Sequence, residues 1–489
     1  MKISISYPPI ESKKGIALLT QNRQFQWFNS PTYIYPVIPA YAATLLKEKG
    51  YDVMWDDAIA ERLTYAQWKE RIMKAKPDVI AFETKTPVVK AHWRIINELK
   101  AESSKVEGWK PVIVLMGDHA TALPQESLEK CQVDYVISSG DFDFMLLNLA
   151  DHLSKGMPLE GGFWFRKDGT IQNSGPSDLS KHDLNTLPMI DRKLTHWKRY
   201  AYENGNFKYT PGTYMMSGRD CWWGRCAFCS WTTLFPGNKF RTRSAKLALD
   251  EVGHLIDLGV KEIMEDSGSL PVGNWLEEFC NGMIERGYNK KITMSCNMRI
   301  TGIKQARVWR LMKRAGFRFI LFGLESASQE TLDRINKNLK VEDIEPGLKM
   351  CKEAGLEPHI TAMIGYPWET KAMAEKTIAL AKDLFQKGYV DTLQGTVLIP
   401  YPGTPLYKDC QDQGLLLTDD YDRFDQREQV MKSPLTSEDA KELVQGLYKS
   451  FMTPKFVLRK ILSIRNFNDV KFIWRAGWKV LGHLLDFKK

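Results

Sequence analysis

The sequence predicts an α/β protein with two successive parallel sheets and a basic, helical C-terminal segment. Three observations support this. Short apolar strands alternate with helices over residues 1–155, six further strand–helix units occupy 211–430, and positive charge is concentrated in 455–489. Because 43% of the 489 residues are hydrophobic, the chain can bury a large core and is expected to divide into several domains.

Residues 1–155 are predicted to form a doubly wound parallel sheet, because each short apolar strand precedes a helix. The strands are "KISISYPP", "YDVMWDDA", "PDVIAFETKT", "PVIVLMGDHA" and "VDYVISSGD". Polar or glycine-containing tips end the last three of them. Such sheets bind ligands at the carboxyl ends of their strands, so the tips are either ligand-binding loops or ordinary strand-to-helix turns.

Residues 156–210 are predicted to connect the two sheets. The stretch "FWFRKDGTI" is typical of a small hairpin, with Asp168 and Gly169 at its turn. The polar "NSGPSDLSKHDLNTLP" after it is rich in turn-forming residues.

Residues 211–430 are predicted to form a partial α/β barrel of six strand–helix units. The strands lie in "TYMMSGRD", "KEIMEDSGS", "KITMSCNMR", "FRFILFGLESAS", "EPHITAMIGYP" and "DTLQGTVLIPYP". Barrel chemistry lies on the loops after the strands. The cysteines of "CWWGRCAFCSW" (221–231) lie in one such loop, and Asp266, Arg299, Glu325 and Gly365 each end a later strand, so we expect them on one rim.

Residues 431–489 form the tail, which begins with the predicted helix "TSEDAKELVQGLYKSFM". From Lys455 to Lys489 the segment carries a net charge of +7, and the rest of the chain only +2. Its basic residues alternate with aromatic and aliphatic ones, which is typical of a helix lying on an anionic membrane. The alternative is that these residues pack on the barrel with their lysines in water.

Cys221, Cys226 and Cys229 are the one cysteine cluster, and the other five cysteines are scattered singly. Structural zinc requires four ligands, and the next histidine, His254, falls inside a predicted helix. An iron–sulfur cluster held by three thiolates keeps one iron open for a substrate or cofactor. Three unpaired buried thiols are the third possibility. We expect the aromatic residues of the loop to shield a cluster from water: Trp222, Trp223, Phe228 and Trp231.

The three-cysteine loop after the first strand of a partial barrel resembles the radical S-adenosylmethionine (SAM) superfamily. "GLESAS", "IGYPWET" and "IPYPGTPLY" resemble motifs of one branch, whose members carry an N-terminal domain of the cobalamin-binding type. "GDHATALPQESLE" and "DYVISSGD" are similar to that domain, so the resemblance covers residues 1–430. "CAFCSWTTLFPGNKFRTRS" is most similar to hopanoid-biosynthesis radical SAM proteins and anaerobic magnesium-protoporphyrin ester cyclases.

The resemblance implies that the three cysteines hold a [4Fe–4S] cluster and that SAM binds its open iron. It implies that Phe228 flanks the adenine, that Asp266 and Ser267 bind the amino group, and that Gly365 admits the adenine to the backbone. Arg299 suits the SAM carboxylate and Glu325 a ribose hydroxyl or the amino group, unless these two side chains pair with each other. The candidate residues of the cobalamin-type domain are Thr84, Gly117, Asp118, His119, Thr121, Ser139 and Gly140.

Two departures from the family pattern stand out. Four residues separate Cys221 from Cys226, where the family has three. The N-terminal domain also lacks the Asp-x-His-x-x-Gly loop that supplies a lower histidine ligand in some cobalamin proteins. His119 follows Gly117 and Asp118 instead, so cobalamin is expected to bind without that histidine.

The resemblance implies an enzyme that reductively cleaves SAM to a 5′-deoxyadenosyl radical and functionalises an unactivated carbon. We expect cobalamin-dependent C-methyl transfer to a small-molecule, lipid or other hydrophobic substrate, with an external one-electron reductant. The alternatives are radical ring formation or oxidation without methyl transfer, and a non-catalytic cobalamin or metal sensor. A cytoplasmic protein is expected, with peripheral contact to the inner membrane face through the tail, and nucleic acid is not expected as a partner.

Overall fold

The computed structural model describes residues 1–19, 25–237 and 239–451, together with the single residues 464, 470 and 472. Two parallel sheets carry the fold, which confirms the predicted class. No helix within these described ranges is both long enough and apolar enough to cross a membrane. The predicted boundaries at 155, 210 and 430 stay predictions.

The first sheet has seven strands, and the five predicted strands are parallel to one another. The strands of this half are β1 (Lys2–Tyr7), β2 (Ile16–Ala17), β3 (Trp27–Phe28), β4 (Asp52–Asp57), β5 (Val79–Thr84), β6 (Val112–Gly117), β7 (Tyr135–Ile137), β8 (Phe163–Lys167) and β9 (Thr170–Asn173). Its helices are α1 (Val37–Glu48), α2 (Tyr65–Ala75), α3 (Val89–Ser103), α4 (Asp118–Ala122), α5 (Pro124–Lys130) and α6 (Phe142–Lys155).

The strand order is β4-β1-β5-β6-β7-β8-β9. β4 is added on one side of β1 and β5 to β7 on the other, as in a doubly wound sheet. All six residues of β5 are buried, because helices cover both faces of the sheet. β2 and β3 pair with each other outside this sheet, within the long loop that links β1 to α1.

The predicted hairpin is β8–β9, and it continues the first sheet by pairing antiparallel with β7. Asp168 and Gly169 have φ of 51° and 77°. Both values lie in the left-handed region that a two-residue hairpin turn requires, which explains this residue pair at the tip.

The second sheet runs in chain order, β10-β13-β14-β15-β16-β17, and every neighbouring pair is parallel. The six predicted units are therefore present. The strands of this half are β10 (Gly212–Met215), β11 (Gly218–Arg219), β12 (Arg241–Thr242), β13 (Glu262–Glu265), β14 (Thr293–Met298), β15 (Phe317–Glu325), β16 (Glu357–Ile364) and β17 (Thr392–Val397).

The helices of this half begin with the short α7 (Trp231–Leu234) and end with the predicted tail helix, α15. They are α8 (Ala245–Asp257), α9 (Asn274–Glu285), α10 (Ala306–Arg314), α11 (Gln329–Arg334), α12 (Ile344–Glu353), α13 (Lys371–Lys387), α14 (Pro405–Asp412) and α15 (Ser437–Phe451). The membrane-binding prediction concerns residues after α15, which lie outside the described residues except for 464, 470 and 472.

A buried ionic network joins the two sheets through Asp141 and Asp143, at the start of α6. Arg219 of β11 binds both carboxylates, and its Nη1 lies 2.9 Å from Asp141 Oδ1. Arg241 of β12 donates to both Asp141 oxygens, at 2.6 and 2.9 Å. His182 Nδ1 lies 2.7 Å from Asp141 Oδ2. This pairing is essential, because an unpaired charge at this depth is strongly destabilising.

The network also sets the protonation of its members. Burial opposes ionisation of Asp141, but Arg219, His182 and Arg241 together hold the pKa of this carboxyl well below its usual range. Burial likewise disfavours charge on His182, yet its bonds to Asp141 and Glu160 raise the pKa of His182 to about 9. His182 is therefore a cation at neutral pH.

We predict that His182 makes folding stability depend on pH between 6.5 and 9. Its pKa is higher in the folded chain than in the unfolded one, so its contribution is complete below about 6.5 and is lost as the pH rises through 9. Over this interval the free energy of unfolding should fall by on the order of 2 kcal/mol more in the wild type than in His182→Gln. Urea unfolding at pH 6.5, 7.5 and 9 measures this difference.

His254→Gln is the matched control, since His254 has no ion pair among the described residues of α8 and its surroundings. Its pH profile should follow that of the wild type. Parallel profiles for the wild type and His182→Gln would contradict the charged state of His182.

Candidate active site

The cysteine loop lies between β11 and α7, and all three of its cysteines line a cavity of about 440 Å³. Cys221, Cys226 and Cys229 are partly accessible, whereas the other five cysteines are buried. Other segments hold the loop: Ala227 N–H donates to Ile335 O at 2.9 Å, and Leu406 N–H donates to Ala227 O at 2.9 Å. The three clustered thiols are therefore presented to a cavity and are not core residues.

Local backbone geometry accommodates the longer spacing between the first two cysteines. Gly224, inside that spacing, has φ of 54°, a left-handed conformation that glycine adopts without strain. Asp220 precedes the loop with φ of 81°, and its Oδ1 accepts the Cys221 N–H at 2.6 Å. Burial raises the pKa of Asp220 to about 7.

Gly268 allows the loop after β13 to touch the cysteine loop. A Cβ on this residue would lie 2.8 Å from both Asp220 O and Cys221 Cβ, closer than real Cβ contacts. The Gly268 N–H also donates to Asp220 O at 3.1 Å. A larger residue here would push the first cysteine away.

Two of the four aromatic residues of the loop share the cavity with the cysteines, and the other two contact Arg299. Phe228 and the buried Trp231 line the cavity. The rings of Trp222 and Trp223 lie 5.4 and 4.9 Å from the Arg299 guanidinium, which is cation–π distance. Trp223 Nε1 also donates to Asn336 O at 2.7 Å.

Asp266 and Ser267 end β13 but occupy different environments. Asp266 lines the cavity, and its Oδ1 accepts from Asn297 Nδ2 at 3.0 Å. Ser267 does not line the cavity. Its hydroxyl donates to Glu265 Oε1 at 2.5 Å and accepts the Gly218 N–H at 2.8 Å. The structure therefore brings Asp266 to the cysteines and gives Ser267 contacts that position the strand end.

Arg299 and Glu325 both line the cavity, but they do not pair with each other. Glu325 Oε1 accepts from Lys337 Nζ at 2.7 Å. Arg299 donates through Nη2 to the carbonyl oxygens of Lys337 and Asn338, and its Nε has no hydrogen-bond partner among the described residues. The Arg299–Glu325 salt bridge considered from the sequence is not formed.

Lys337 is the site residue that the sequence analysis missed. It lies between Asn336 and Asn338, which have φ of 53° and 49°. Asparagine tolerates this left-handed conformation, so "NKN" could have been recognised as a tight turn presenting a lysine. Lys337 is nearly buried, and burial lowers its pKa less than Glu325 and Cys226 raise it, so it stays charged.

Two buried cations therefore face the thiols. Burial raises the pKa of Cys226, and the nearby Lys337 and Arg299 charges oppose that rise. Thiolates, and a cluster held by them, carry negative charge that these cations stabilise. The donor set of three accessible thiols with two cations fits an iron–sulfur cluster.

Gly323 on β15 makes room for the Glu325–Lys337 pair. A Cβ at this position would lie 2.1 Å from Glu325 Oε1 and 2.6 Å from Lys337 Nζ. Glu325 itself has φ of 63°, so its backbone is held in a conformation unusual for glutamate. Strain of this kind is concentrated at functional sites.

Gly365 lies off the cavity. Its φ of 100° requires glycine, but a Cβ there would meet Gln429 Nε2 at 2.9 Å, and its N–H donates to Glu369 Oε2 at 2.6 Å. The structure does not bring Gly365 to the cysteines.

The candidate residues of the first sheet lie at the carboxyl ends of β5, β6 and β7, and none lines the cavity. Gly117 approaches Thr84 so closely that a Cβ would lie 2.1 Å from Thr84 O. Thr84 Oγ1 bonds His92 Nδ1 at 2.8 Å, and Asp118 pairs with Lys85 at 3.2 Å. Ser139 Oγ accepts the Asp141 N–H at 3.3 Å.

His119 and Gly140 contact elements of the second half. His119 is fully buried, its Nδ1 and Nε2 lie 3.3 Å from Thr86 Oγ1 and Glu126 Oε2, and Tyr421 packs on its ring. Gly140 N–H donates to Leu234 O at 2.8 Å. Thr121 Oγ1 is buried with no partner among the described residues.

Comparison with known proteins shows which family and which relatives the chain resembles. Residues 215–381 match the radical SAM superfamily. The chain is 27% identical to an uncharacterized methyltransferase of Pyrococcus horikoshii, over 96% of each protein. It is 25% identical to the anaerobic magnesium-protoporphyrin IX monomethyl ester cyclase of Cereibacter sphaeroides, over 87% of this chain and 68% of that protein.

The fold agrees with a solved structure, the cobalamin-dependent S-adenosylmethionine radical enzyme OxsB with aqua-cobalamin and S-adenosylmethionine bound. The TM-score is 0.72 with 13% identity, covering 99% of this chain and 72% of that one. The resemblance inferred from the motifs is confirmed. The match is to a family of enzymes, so the sensor alternative is set aside.

We predict that Lys337→Met weakens SAM binding by roughly tenfold or more, because the Glu325 carboxylate is left buried and unpaired. Lys340→Met is the matched control, since Lys340 is exposed three residues away. Calorimetric titration of each anaerobically prepared protein with S-adenosylhomocysteine gives the affinities. Equal affinities in the two variants, with equal iron content, would contradict the role of Lys337.

Proposed function

We propose that this radical SAM enzyme transfers a methyl group to an unactivated carbon, with cobalamin as a second cofactor. The observation that carries the proposal is the shared cavity. The three thiols and two cations line it together with Leu18, Phe28 and Thr32, from the loop of the first half. We propose that the reaction takes place in this cavity, which residues of both halves of the chain line.

In this proposal Cys221, Cys226 and Cys229 hold the [4Fe–4S] cluster. With the cluster and SAM bound, the cofactors supply the radical chemistry, and the protein supplies position and exclusion of water. Arg299, with its unpartnered Nε, binds the SAM carboxylate, while Asp266 binds the amino group.

Glu325 and Phe228 complete the proposed SAM site. Glu325 accepts from a ribose hydroxyl while keeping its bond to Lys337, and Phe228 flanks the adenine. Lys337 balances the Glu325 charge and offsets the negative charge of the thiolates. Ser267 and Gly365 act by positioning strand ends, since neither lines the cavity.

One feature of the first half supports a cobalamin site, since the unpartnered Thr121 hydroxyl is able to hydrogen-bond a ligand. Both ring nitrogens of His119 are occupied by Thr86 and Glu126. We therefore propose that cobalamin binds at this edge without a histidine ligand.

Ring formation or oxidation without methyl transfer is the second candidate. The cyclase of Cereibacter sphaeroides supports it, since the similarity extends over 87% of this chain. The methyltransferase of Pyrococcus horikoshii matches a larger share of both proteins and favours methyl transfer.

We predict that the protein, produced anaerobically with a cobalamin supply, retains cobalamin in stoichiometric amount together with its iron. Thr121→Leu should lower cobalamin retention by about fivefold or more, because it removes the unpartnered hydroxyl and adds bulk. Thr170→Leu, on the exposed hairpin, is the control and should retain both cofactors. Cobalt and iron analysis with absorption spectra measures the outcome.

Cys226→Ala separates the two cofactors in the same experiment. It should lose cluster absorbance and SAM cleavage while keeping cobalamin, because its site is separate from the edge of the first sheet. A wild type without cobalamin would overturn methyl transfer in favour of the second candidate. A variant that keeps its cluster and cleaves SAM would overturn the cysteine assignment.

We also propose peripheral membrane contact through the basic tail, with a lipid or other hydrophobic substrate. Ile464 and Val470 are 37% and 44% exposed. Phe472 instead lies on the barrel, 5.8 Å from the Arg318 guanidinium.

We predict that the full-length protein sediments with anionic vesicles at low salt and is released at high salt, since each basic residue contributes about 1 kcal/mol near such a surface. A charge-reduced variant, Lys479→Gln with Lys488→Gln and Lys489→Gln, should bind markedly less. Neutral vesicles are the control and should bind neither protein. Unchanged binding of the variant would remove the tail from the membrane proposal.

A further inference from the structure

The cysteine loop lines the cavity and also reaches the surface of the protein. Trp222, Trp223, Gly224 and Arg225 lie between two cavity-lining cysteines but outside the cavity lining. The two tryptophans are half-buried and Arg225 is exposed. This stretch therefore forms an outward face of the loop, directly beside the cysteines.

Trp223 links this outward face to the residues around the thiols. Its ring lies 5.4 Å from the exposed Arg225 guanidinium and 4.9 Å from the buried Arg299 guanidinium. Arg299 lines the cavity together with the three cysteines. A molecule docked on Trp223 and Arg225 is thus separated from the thiols by one layer of side chains.

Two neighbouring loops pack on the tryptophans and extend the face. Trp223 Nε1 donates to Asn336 O at 2.7 Å, which brings in the turn that holds Lys337. A Cβ on Gly302 would lie 3.4 Å from the Trp222 ring, so the loop after β14 is in contact as well. We call the surface formed by these three segments the cysteine-loop patch: 221–229, 299–304 and 336–340.

The cysteine-loop patch is basic. Its three segments contain five basic residues and no Asp or Glu, whereas residues 1–454 as a whole carry a net charge of only +2. The five are Arg225, Arg299, Lys304, Lys337 and Lys340. Arg225, Lys304 and Lys340 are exposed, so positive charge is concentrated on the surface around the two tryptophans.

Carboxylates of adjoining segments leave most of this surface charge in place. Glu325 pairs with Lys337, at 2.7 Å, where both line the cavity. Glu342 lies 3.5 Å from Lys340, but these side chains are 76% and 71% exposed, and a surface pair of this kind is weak. The exposed face therefore keeps a positive field that attracts an acidic partner.

We infer that the cysteine-loop patch is the docking site of the external electron donor, and that this donor is a small acidic one-electron carrier protein. The SAM cleavage expected of this enzyme consumes an electron from outside the chain. One electron leaves the reduced flavin or iron–sulfur group of the carrier and enters the cluster held by the cysteines. The carrier is oxidised, the cluster is reduced, and no bond or proton is exchanged.

Size and position favour a transient carrier. Electron transfer slows steeply with distance, and a carrier on this patch approaches the thiols without entering the cavity. Transient electron-transfer complexes bury less than about 1,200 Å² in total, and complementary charge steers their association. Three exposed cations around two half-buried tryptophans suit a contact of that size. The inference applies to methyl transfer and to ring formation alike, because both use an external reductant.

Binding of two acidic carriers tests the patch. Oxidised flavodoxin, which holds FMN, and an oxidised plant-type [2Fe–2S] ferredoxin are the probes, and the basic cytochrome c is the control. Titrated by calorimetry into the anaerobic full-length protein with its cluster, each acidic probe should bind at one site. Its Kd should rise by roughly tenfold or more between about 50 and about 500 mM salt, because salt screens the charges. Hydrogen exchange should show protection in the three segments of the patch.

Reversing the charge of the patch should remove this binding. Lys304→Glu with Lys340→Glu should raise the Kd of both acidic probes by about tenfold or more. Lys105→Glu with Lys110→Glu makes the same change in net charge at exposed positions of the first half, and should bind the probes as the wild type does. Iron content and circular dichroism confirm that each variant is loaded and folded. With reduced flavodoxin at low salt, cluster absorbance should be lost about tenfold more slowly in the patch variant alone.

Three results would overturn the inference: acidic probes that bind no more tightly than cytochrome c, protection that falls outside the three segments, or equal affinity in the two charge-reversed variants. Other polyanions are tested on the same proteins. A single-stranded RNA of about 20 nucleotides that displaces the carriers and protects the same segments more strongly would make the patch a nucleic-acid surface instead.

Anionic vesicles separate the patch from the basic tail. The wild type and the Lys304→Glu, Lys340→Glu variant should bind them equally. Loss of vesicle binding in that variant, with carrier binding unchanged, would make the patch a membrane surface and overturn the inference. A protein that binds the carriers but lacks cobalamin would fail the proposed methyl transfer while keeping the donor site. A protein that retains cobalamin and binds neither carrier would do the opposite.

Discussion

The buried carboxylate of Asp141 is a central link between the two halves of the molecule. It accepts hydrogen bonds from Arg219, Arg241 and His182, which belong to three different segments. Each of these charges would be strongly destabilising if buried alone, so the segments are stable only when packed together. Because Cys221 follows Arg219 by two residues, the same network fixes where the cysteine loop begins.

Close backbone approaches and charge balance assemble the cysteine site, which follows this network in the chain. Gly268 lets the β13 loop touch Cys221, and Gly323 leaves space for the Glu325–Lys337 pair. Arg299 is held by backbone carbonyls and by the rings of Trp222 and Trp223. Two cations are thus fixed beside three thiols, Arg299 by carbonyl oxygens and aromatic rings and Lys337 by the Glu325 carboxylate.

The charge of the residues that line the cavity differs between the loops and the strands, and this follows from strand periodicity. Loop residues after the strands bring charge to the mouth, where the cysteines lie. Lining residues farther down β15, β16 and β17, such as Leu321, Thr361 and Gln394, carry no charge, and the Glu325–Lys337 pair fills the space over Gly323.

Much of the fold follows from local sequence pattern. The alternation of apolar strands with helices predicted both parallel sheets and the six units of the barrel, since hydrophobic periodicity acts over a few residues. The Asp168–Gly169 turn and the cysteine spacing were also visible, because each depends on neighbours in sequence. The strand ends carrying Asp266, Arg299 and Glu325 could be placed on one rim for the same reason.

The tertiary structure decided which of these side chains meet. The partner of Glu325 is Lys337 rather than Arg299, Ser267 and Gly365 lie off the cavity, and Asp141 binds cations 41 to 100 residues away. These outcomes depend on strand register, left-handed backbone positions and side-chain direction. Shifts of ångströms in the side-chain positions leave the sequence pattern unchanged, so the pattern does not predict which side chains meet. The sequence by itself determined the architecture and the clustering of the three cysteines, and long-range packing determined which charged side chains pair.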